Sequence, residues 1–321
     1  MEASGATAAA SADGTLGGDG GALGGVRQIL ADYTELTKPK VQSLLLLTTV
    51  TTMYVAGTPS AWKVLATCIG GYLSAGGAGA VNHYWDRDID LQMKRTASRP
   101  VPSGRVRPGA ALAFGLVLCV LSFVELSLTD NVLSASLALA GFVGYVGVYT
   151  MWLKRTTPQN IVIGGAAGAI PPLVGWTATT GHLSWTAVYL FAIVFYWTPP
   201  HFWALSLLMK DEYAKVNVPM MPVVRGEHET RRQILLYSVL LFAITQLPFC
   251  ASGFGGIYLV GSLILGGLFI FYAVRLYRRA DRSSALRLYR RADRSAALRL
   301  YLFSLAYLAL LFGAMVADAR L

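Results

Sequence analysis

The sequence predicts an all-α, polytopic membrane protein of about nine transmembrane helices. Of its 321 residues, 55% are hydrophobic and only 14% are charged. Soluble domains carry about 25% charged residues. Apolar runs of about 20 residues recur, with the charges confined to the gaps between them, and a helix of this length spans a bilayer. The three cysteines lie singly in apolar runs. The composition therefore excludes a soluble globular domain and a secreted disulfide scaffold.

Residues 1–31 are predicted to form a disordered tail. They are rich in Ala, Gly and Ser, a composition that cannot bury a core. They also lack the basic and apolar regions of a signal peptide, and the arginines of a transit peptide. The membrane domain is expected to occupy residues 32–321.

The apolar runs define nine candidate spans. Spans two and six are four helices apart, which suggests two parallel four-helix pseudo-repeats and one further helix. Small residues in Gly70–Gly79 and Gly164–Ala169 are expected to let neighbouring helices pack closely. The spans run near residues 41–56, 62–82, 109–127, 132–152, 160–178, 184–208, 233–250, 254–274 and 299–317.

The distribution of basic residues predicts the orientation in the membrane. Of the 27 Lys and Arg residues, all but Lys63 and Arg320 precede the first span or follow the second, fourth, sixth or eighth. The positive-inside rule places these loops, and the N-terminus, in the cytoplasm. The loops on the opposite side are short and nearly uncharged, so any chemistry is expected to face the cytoplasm.

A basic segment is repeated in tandem. Residues 275–286 read RLYRRADRSSAL and residues 287–298 read RLYRRADRSAAL. Twelve residues turn a helix by about 1200°, so two copies in one helix differ in phase by about 120°. The repeat is interpreted as a basic helix at the anionic membrane surface, with a solvated loop without function as the alternative.

An acidic pattern ends the second span. If the helix continues, Asn82, Asp86 and Asp90 follow one face at steps of about 6 Å, while Asp88 points elsewhere. Two carboxylates and an amide oxygen suit Mg²⁺, which prefers oxygen ligands and leaves positions for a phosphate. The alternative is an acidic helix end in water, although acids at a helix C-terminus oppose the dipole.

Basic residues follow this acidic pattern at once. A carboxylate pair that holds a metal and a run of cations that holds an anion together indicate a site for a metal-bound diphosphate. The cations are Lys94, Arg95, Arg99 and Arg105.

A second acidic cluster follows the sixth span. Asp211, Glu212 and Tyr213 are expected on the same side as the first motif, where two facing loops could bind two or three Mg²⁺ ions. A solvated loop is the alternative interpretation for this cluster.

His201 is the one histidine inside a hydrophobic span, about 15 Å deeper than Asp211 if the chain is helical. An ionisable residue at that depth is a candidate for function. A neutral imidazole in an aromatic-lined cavity would suit haem iron. Alternatively, His201 hydrogen bonds to carbonyls freed by Pro199 and Pro200. His83 is a weaker ligand candidate beside the acidic motif.

Four segments resemble the intramembrane prenyltransferase superfamily over residues 32–321. Asn82, Asp86 and Asp90 match its first aspartate-rich motif, whereas its second motif, with two aspartates four apart, is reduced to Asp211 and Glu212. Asn217 stands where a glycine is common. The segments are DYTELTKPKV (32–41), NHYWDRDIDLQMKRTASRP (82–100), YTMWLKRTTPQNIVIGGAAGAIPPLVGW (149–176) and TPPHFWALSLLMKDEYAKVNVPMMPVV (198–224).

The resemblance implies transfer of a farnesyl group from farnesyl diphosphate to a vinyl group of haem B, with addition of water, to give haem O for haem-copper oxidases. It implies Mg²⁺ as cofactor, held by Asn82, Asp86, Asp90 and the second cluster. His201 would hold the haem. The residues implied to bind substrate are Lys94, Arg95, Arg99, Lys154, Arg155, His201 and Tyr213.

The same resemblance implies a multi-pass protein of the bacterial inner membrane, with haem A synthase or oxidase assembly proteins as partners and no nucleic acid. Three other functions are weighed against it. A prenyltransferase for phenolic quinone precursors would give His201 no role. A transporter would carry its ionisable residues near the bilayer midplane. A haem-binding assembly factor without catalysis would not need the acidic motif.

Overall fold

The computed structural model describes residues 19–278 and 287–321, and it describes side chains over residues 25–278 and 294–321. The described chain is all helical. In chain order the helices are α1 (Asp19–Leu36), α2 (Pro39–Ala56), α3 (Ala61–Trp85), α4 (Arg87–Gln92), α5 (Pro108–Thr129), α6 (Val132–Val143), a π-helical segment (Gly144–Leu153), α7 (Lys154–Thr156), α8 (Asn160–Gly168), α9 (Ile170–Thr180), α10 (Trp185–Leu208), α11 (Lys210–Lys215), α12 (Met221–Val224), α13 (Gly226–Thr245), α14 (Leu247–Ser252), α15 (Gly256–Arg278) and α16 (Arg287–Arg320).

Each predicted span coincides with helix in the described chain, which confirms the all-α membrane fold. Within the described residues, seven helical segments are long and apolar enough to cross a bilayer. The two that fall short are α2 and α10. Lys40 and Gln42 lower the hydropathy of α2, and α10 contains Pro199, Pro200 and His201. The count of nine crossings therefore stays a prediction.

Local signals fix where several helices begin. Pro39 and Pro108 occupy first turns, where the missing N–H costs no hydrogen bond. Ser60 caps α3 by accepting a hydrogen bond from the Lys63 amide at 3.2 Å. Asn131 caps α6 in the same way from the Ser134 amide at 2.9 Å.

Glycines set the closest helix contacts. A Cβ at Gly77 of α3 would lie 2.6 Å from the Gly115 carbonyl oxygen of α5. A Cβ at Gly175 of α9 would lie 2.3 Å from the Thr49 carbonyl oxygen of α2. Both distances are too short for a side chain, so the prediction that small residues permit close packing is confirmed for Gly77.

Successive helix termini along the sequence lie at alternate ends of the bundle. At one end, Asp318 of α16 accepts hydrogen bonds from the amides of Gly255 at 2.5 Å and Tyr258 at 3.1 Å, the start of α15. Arg320 bonds the carbonyls of Tyr54 and Gly57 at the end of α2. The acidic motif lies at the other end. This alternation is the one that the basic loops predict; which end faces the cytoplasm stays a prediction.

The boundary of the predicted tail falls inside a helix. Residues 19–31 belong to α1, where Gln28 bonds Asp32 one turn later at 3.1 Å. Asp32 also accepts a hydrogen bond from Arg105 at 2.8 Å, which ties α1 to the loop before α5. Composition alone did not reveal this anchor. Residues 1–18 lie outside the described residues.

The tandem repeat is divided between two helices. The first copy begins in the last turn of α15. The second copy forms the start of α16, and that helix continues through the ninth predicted span. A phase difference of about 120° holds only for two copies in one continuous helix. It therefore does not apply to copies that start on α15 and α16. Residues 279–286 of the first copy lie outside the described residues.

Candidate active site

Three oxygen-bearing side chains share one face at the end of α3. The helical hydrogen bonds continue past the break at Asp86, because the Asp86 amide bonds the Asn82 carbonyl at 2.9 Å and the Asp90 amide bonds the Asp86 carbonyl at 2.8 Å. All three residues are buried. The predicted spacing of Asn82, Asp86 and Asp90 on one face is therefore present, and we call these residues the oxygen triad.

Each member of the oxygen triad is paired with a cation from a different segment. Lys38, between α1 and α2, donates to Asn82 Oδ1 at 2.5 Å. Lys154, the first residue of α7, pairs with Asp86. Arg99, from the loop after α4, donates to Asp90 Oδ2 at 2.7 Å. The site is thus a charge network, and an acidic helix end in open water does not describe it.

The orientation of the Asn82 amide follows from its partners. An ammonium group can only donate, so the atom that faces Lys38 is Oδ1. The amide nitrogen donates to Asp86 Oδ2 at 2.7 Å and to Thr150 Oγ1 at 3.2 Å. Asn82 therefore links the side chain of Lys38 to that of Asp86.

Lys38 lies in a crowded, positively charged place. Burial, followed by the like charges of Arg99 and Lys154, lowers the pKa of its ammonium group to about 7. Its backbone φ of 54° is in the left-handed region. Lys38 lies in the DYTELTKPKV segment that resembles the superfamily, but the sequence predicts no role for it. The one feature of the sequence that marks Lys38 is its place directly before Pro39, which starts α2.

Asp88 points away from the oxygen triad, as the spacing predicts. It is 57% exposed and pairs with Arg155 at 2.7 Å. The hydrogen bonds from Arg155 lower the pKa of Asp88 to about 2. Arg155 also lies 3.6 Å from Asp86 Oδ1, so it connects the two carboxylates. Its other partner is the Trp85 carbonyl at 3.1 Å.

The remaining predicted cations differ in position. Lys94 and Arg95 are exposed on the loop after α4. Arg105 bonds Asp32 and Glu35 of α1 at 2.8 and 3.3 Å, away from the oxygen triad. Of the basic run predicted to hold an anion, only Arg99 contacts the triad.

The second acidic cluster only partly joins the site. Asp211 is exposed on α11. Glu212 Oε2 is buried and accepts no hydrogen bond from any residue that the structure describes. Burial raises the pKa of the Tyr213 phenol, and the charges of Arg95 and Arg99 act against that shift. Tyr213 thus lies within electrostatic reach of the first cluster, which supports the prediction that the two loops face each other.

Asn217, just beyond this cluster, explains one departure from the family pattern. Its φ of 53° is in the left-handed region, where glycine is favoured. Asparagine tolerates this conformation better than most other residues. The backbone shape that glycine commonly provides is therefore kept.

His201 lies between two aromatic rings on a separate interface, that of α10 with α16. Its ring stacks on Trp197 and Tyr301, with centroids 4.4 and 4.8 Å away. Nδ1 hydrogen bonds to Ser304 Oγ at 2.7 Å. This contact differs from the alternative in which His201 bonds carbonyls freed by Pro199 and Pro200.

The Ser304 hydroxyl determines which ring nitrogen of His201 carries the proton. Ser304 donates its single proton to the Tyr301 carbonyl at 2.6 Å, so it accepts from Nδ1–H of neutral His201. The lone pair is then on Nε2. A fixed Nδ1–H donor is the usual arrangement behind a metal-ligating histidine.

Two further polar side chains are buried: Asn160, for which the sequence predicts no role, and His83, the weaker ligand candidate beside the acidic motif. Asn160 is fully buried, and neither its amide oxygen nor its nitrogen has a hydrogen-bond partner in the described chain. Both ring nitrogens of His83 are also without partners among the described residues. Asn160 lies in the segment 149–176 that resembles the superfamily. Polar groups buried in this way are candidates for contact with a bound molecule or ordered water.

The oxygen triad fits a divalent ion that also binds substrate. In the described chain, no three His, Cys, Asp or Glu side chains converge as a metal-binding group. However, Asp86 Oδ1 is buried and accepts no hydrogen bond from a described residue. Two carboxylates and one amide oxygen leave coordination positions open, as Mg²⁺ requires when it binds phosphates.

Comparison with known proteins gives a consistent result. The sequence pattern of the UbiA prenyltransferase family matches residues 45–305. The protoheme IX farnesyltransferase of Chloroflexus aurantiacus is 54% identical over 91% of this chain and 48% of that protein. The protein of the same name from Synechococcus is 49% identical over 91% of this chain and 85% of that protein. The chain thus spans about half the length of the Chloroflexus relative.

Solved structures share the fold. A digeranylgeranylglyceryl phosphate synthase superposes with a TM-score of 0.71 at 20% identity, covering 90% of this chain and 98% of that one. A UbiA homologue from Archaeoglobus fulgidus, bound to DMAPP and Mg²⁺, superposes with a TM-score of 0.65 at 14% identity, covering 88% of this chain and 99% of that one.

Proposed function

Because the chain belongs to the UbiA prenyltransferase family, we propose that it transfers the farnesyl group of farnesyl diphosphate to haem B. The products are haem O and diphosphate. The observation that carries the proposal is identity of about half to protoheme IX farnesyltransferases over nine-tenths of the chain. The cations that pair with the oxygen triad supply the positive charge that stabilises a leaving diphosphate.

The proposed reaction breaks the bond between C1 of the farnesyl group and the diphosphate oxygen. The terminal carbon of a haem vinyl group bonds to C1, a water oxygen bonds to the other vinyl carbon, and one proton is released. Charge develops on the diphosphate as it leaves, so cations aimed at that position lower the barrier. Lys154 and Arg99 are the half-buried cations that pair with Asp86 and Asp90. Arg155, Lys94 and Arg95 are exposed at the rim.

A divalent ion at the oxygen triad would add positive charge that stabilises the leaving diphosphate. Asn82, Asp86 and Asp90 would hold it through oxygen atoms. Glu212, whose buried Oε2 lacks a partner in the described chain, is the better candidate for a contribution from the second cluster. Asp211 is exposed and would need to turn inward.

For the acceptor, we propose that His201 ligates or orients the haem through Nε2. Support comes from its burial between Trp197 and Tyr301 and from the Ser304 hydroxyl on Nδ1. Tyr213, between the two acidic loops, would border the donor. The active site would face the cytoplasm of a bacterial inner membrane, where haem A synthase or oxidase assembly proteins would receive the product.

The quinone-type prenyltransferase is the second candidate, because the oxygen triad would serve any prenyl diphosphate equally well. A phenolic acceptor has no iron, so it gives no role to the His201–Ser304 pair. Competition between haem B and a phenolic acid for the same farnesyl diphosphate therefore separates the two functions.

The proposed function predicts dependence on a divalent metal. Treatment of the purified protein with EDTA should reduce diphosphate release by more than about 100-fold, and Mg²⁺ or Mn²⁺ should restore it, because oxygen ligands favour hard divalent ions. Release of diphosphate in the presence of haem B measures the effect. A full rate in EDTA with no response to added metal would rule out a metal-assisted mechanism.

A further inference from the structure

The cation on Asn82 differs from the other two in its electrostatics. Lys154 and Arg99 each neutralise a carboxylate, whereas Lys38 is paired with a neutral amide. The charge of Lys38 is therefore not compensated by its own partner. With the Arg155–Asp88 pair included, four cations meet three carboxylates in this network, and the excess positive charge suits an anion.

The backbone around Lys38 is built to present it. A left-handed conformation is unfavourable at a residue other than glycine, and Lys38 adopts it at φ 54°, ψ 56°. Thr37 beside it is bonded to Tyr72 at 2.7 Å. At Gly79, an added Cβ would lie 2.9 Å from the Leu36 carbonyl oxygen. The close approach of this turn to α3 thus depends on a glycine, and backbone strain of this kind is concentrated at functional sites.

The hydrogen bond from Lys38 lies on the atom that a metal would use. Asn82 has one oxygen, and Lys38 donates to it at 2.5 Å while the amide nitrogen faces Asp86. An amide oxygen has two lone pairs, so a metal ion could coordinate Oδ1 through the second one, but it would then lie beside the Lys38 ammonium group. The two positive charges would repel each other, which weakens binding of the metal alone unless the ammonium group moves away or an anion is present.

We propose that Lys38 is a positioning residue that couples the two ligands of the site: it keeps Asn82 oriented and weakens binding of a divalent ion alone, and it moves onto the diphosphate when both bind. The inference rests on the proposed function, because it assumes that the oxygen triad receives a metal with a diphosphate. It predicts effects of opposite sign on the two ligands when the charge of Lys38 is removed.

The test uses the full-length protein in detergent, with Lys38→Met, Lys38→Arg and the matched control Lys40→Met, whose lysine is exposed two residues away. Titration with Mn²⁺ alone should show binding about tenfold tighter in Lys38→Met than in the unchanged protein. Binding of inorganic diphosphate at saturating Mn²⁺ should be about tenfold weaker, within the usual range of coupling between two sites. Lys38→Arg and Lys40→Met should resemble the unchanged protein in both titrations.

If the role of Lys38 were purely structural, Lys38→Met would weaken binding of Mn²⁺ and of diphosphate together. That result would overturn the inference. Unchanged Mn²⁺ affinity in Lys38→Met would also overturn it. These outcomes are distinct from failure of the proposed function. Absence of a metal site at the oxygen triad would appear as no Mn²⁺ binding in any variant or as Mn²⁺ binding that Asn82→Ala leaves unaltered, whereas a prenyl acceptor other than haem B would leave both titrations as stated. Thermal unfolding of each variant confirms that the compared proteins are folded.

Discussion

Replacing Asp86 with asparagine is expected to reduce haem O formation by at least about 100-fold, a loss typical of removing one group that stabilises developing charge. Asp86 is fully buried and central to the site, since it pairs with Lys154, accepts a bond from Asn82 and lies near Arg155. Asparagine has the same shape but no charge, so the proposed metal site would lose one of its two anionic ligands. Asp90→Asn should cause a similar loss.

Asp88→Asn is the matched control, because Asp88 lies on the same short segment but is 57% exposed and directed away from the triad. Its activity should stay within about threefold of the unchanged protein, as expected for an exposed ion pair. Immunodetection in washed membranes establishes equal abundance. Near-normal activity of Asp86→Asn, or an equal loss in Asp88→Asn, would contradict the assignment of the oxygen triad.

The second large effect is expected at Ser304 and His201. His201→Ala should abolish haem binding, and Ser304→Ala should weaken it by about tenfold, because the partner of a ligating histidine typically contributes 10- to 100-fold to affinity. Neither change should alter binding of the prenyl diphosphate, since the described hydrogen bonds and ring contacts of His201 involve Trp197, Phe202, Tyr301 and Ser304. Optical titration with haem B beside a diphosphate-binding assay measures both.

Ser238→Ala provides the control for loss of a buried hydroxyl. Ser238 is fully buried on α13 and bonds the Ile234 carbonyl of its own helix at 2.6 Å. Its removal should leave haem affinity unchanged. If His201→Ala weakens both substrates equally, or leaves haem binding intact, His201 has no role in holding the acceptor, and the phenolic acceptor becomes the better interpretation.

The sequence was sufficient for the fold class, for the helices of the nine predicted spans and for the spacing of the oxygen triad, because each depends on a local pattern, but it did not reveal α1. Apolar runs of fixed length determine spans. A four-residue spacing determines a helix face, and the structure keeps Asn82, Asp86 and Asp90 on one face even though the helix breaks at Asp86.

The partners of those side chains were less accessible, because they come from distant segments. Nothing in the local sequence indicates that Lys38 meets Asn82, 44 residues later, or that His201 meets Ser304, 103 residues later. Arg105 was grouped with the anion-binding cations by its place in a basic run, yet it pairs with Asp32 of α1. Charge in the loops predicts which loops share one end of the bundle, but the choice of partner is made by packing.

The central claim is transfer of farnesyl to haem B, and the mass of the haem recovered from the reaction tests it most directly. Membranes containing the protein would be incubated with haem B, farnesyl diphosphate and Mg²⁺, with Asp86→Asn membranes in parallel, and the extracted haem analysed by mass spectrometry. We expect a haem heavier than haem B by one farnesol, formed in equal amount with diphosphate and missing from the variant. Haem B recovered unchanged, while an added phenolic acid becomes prenylated, would contradict the account.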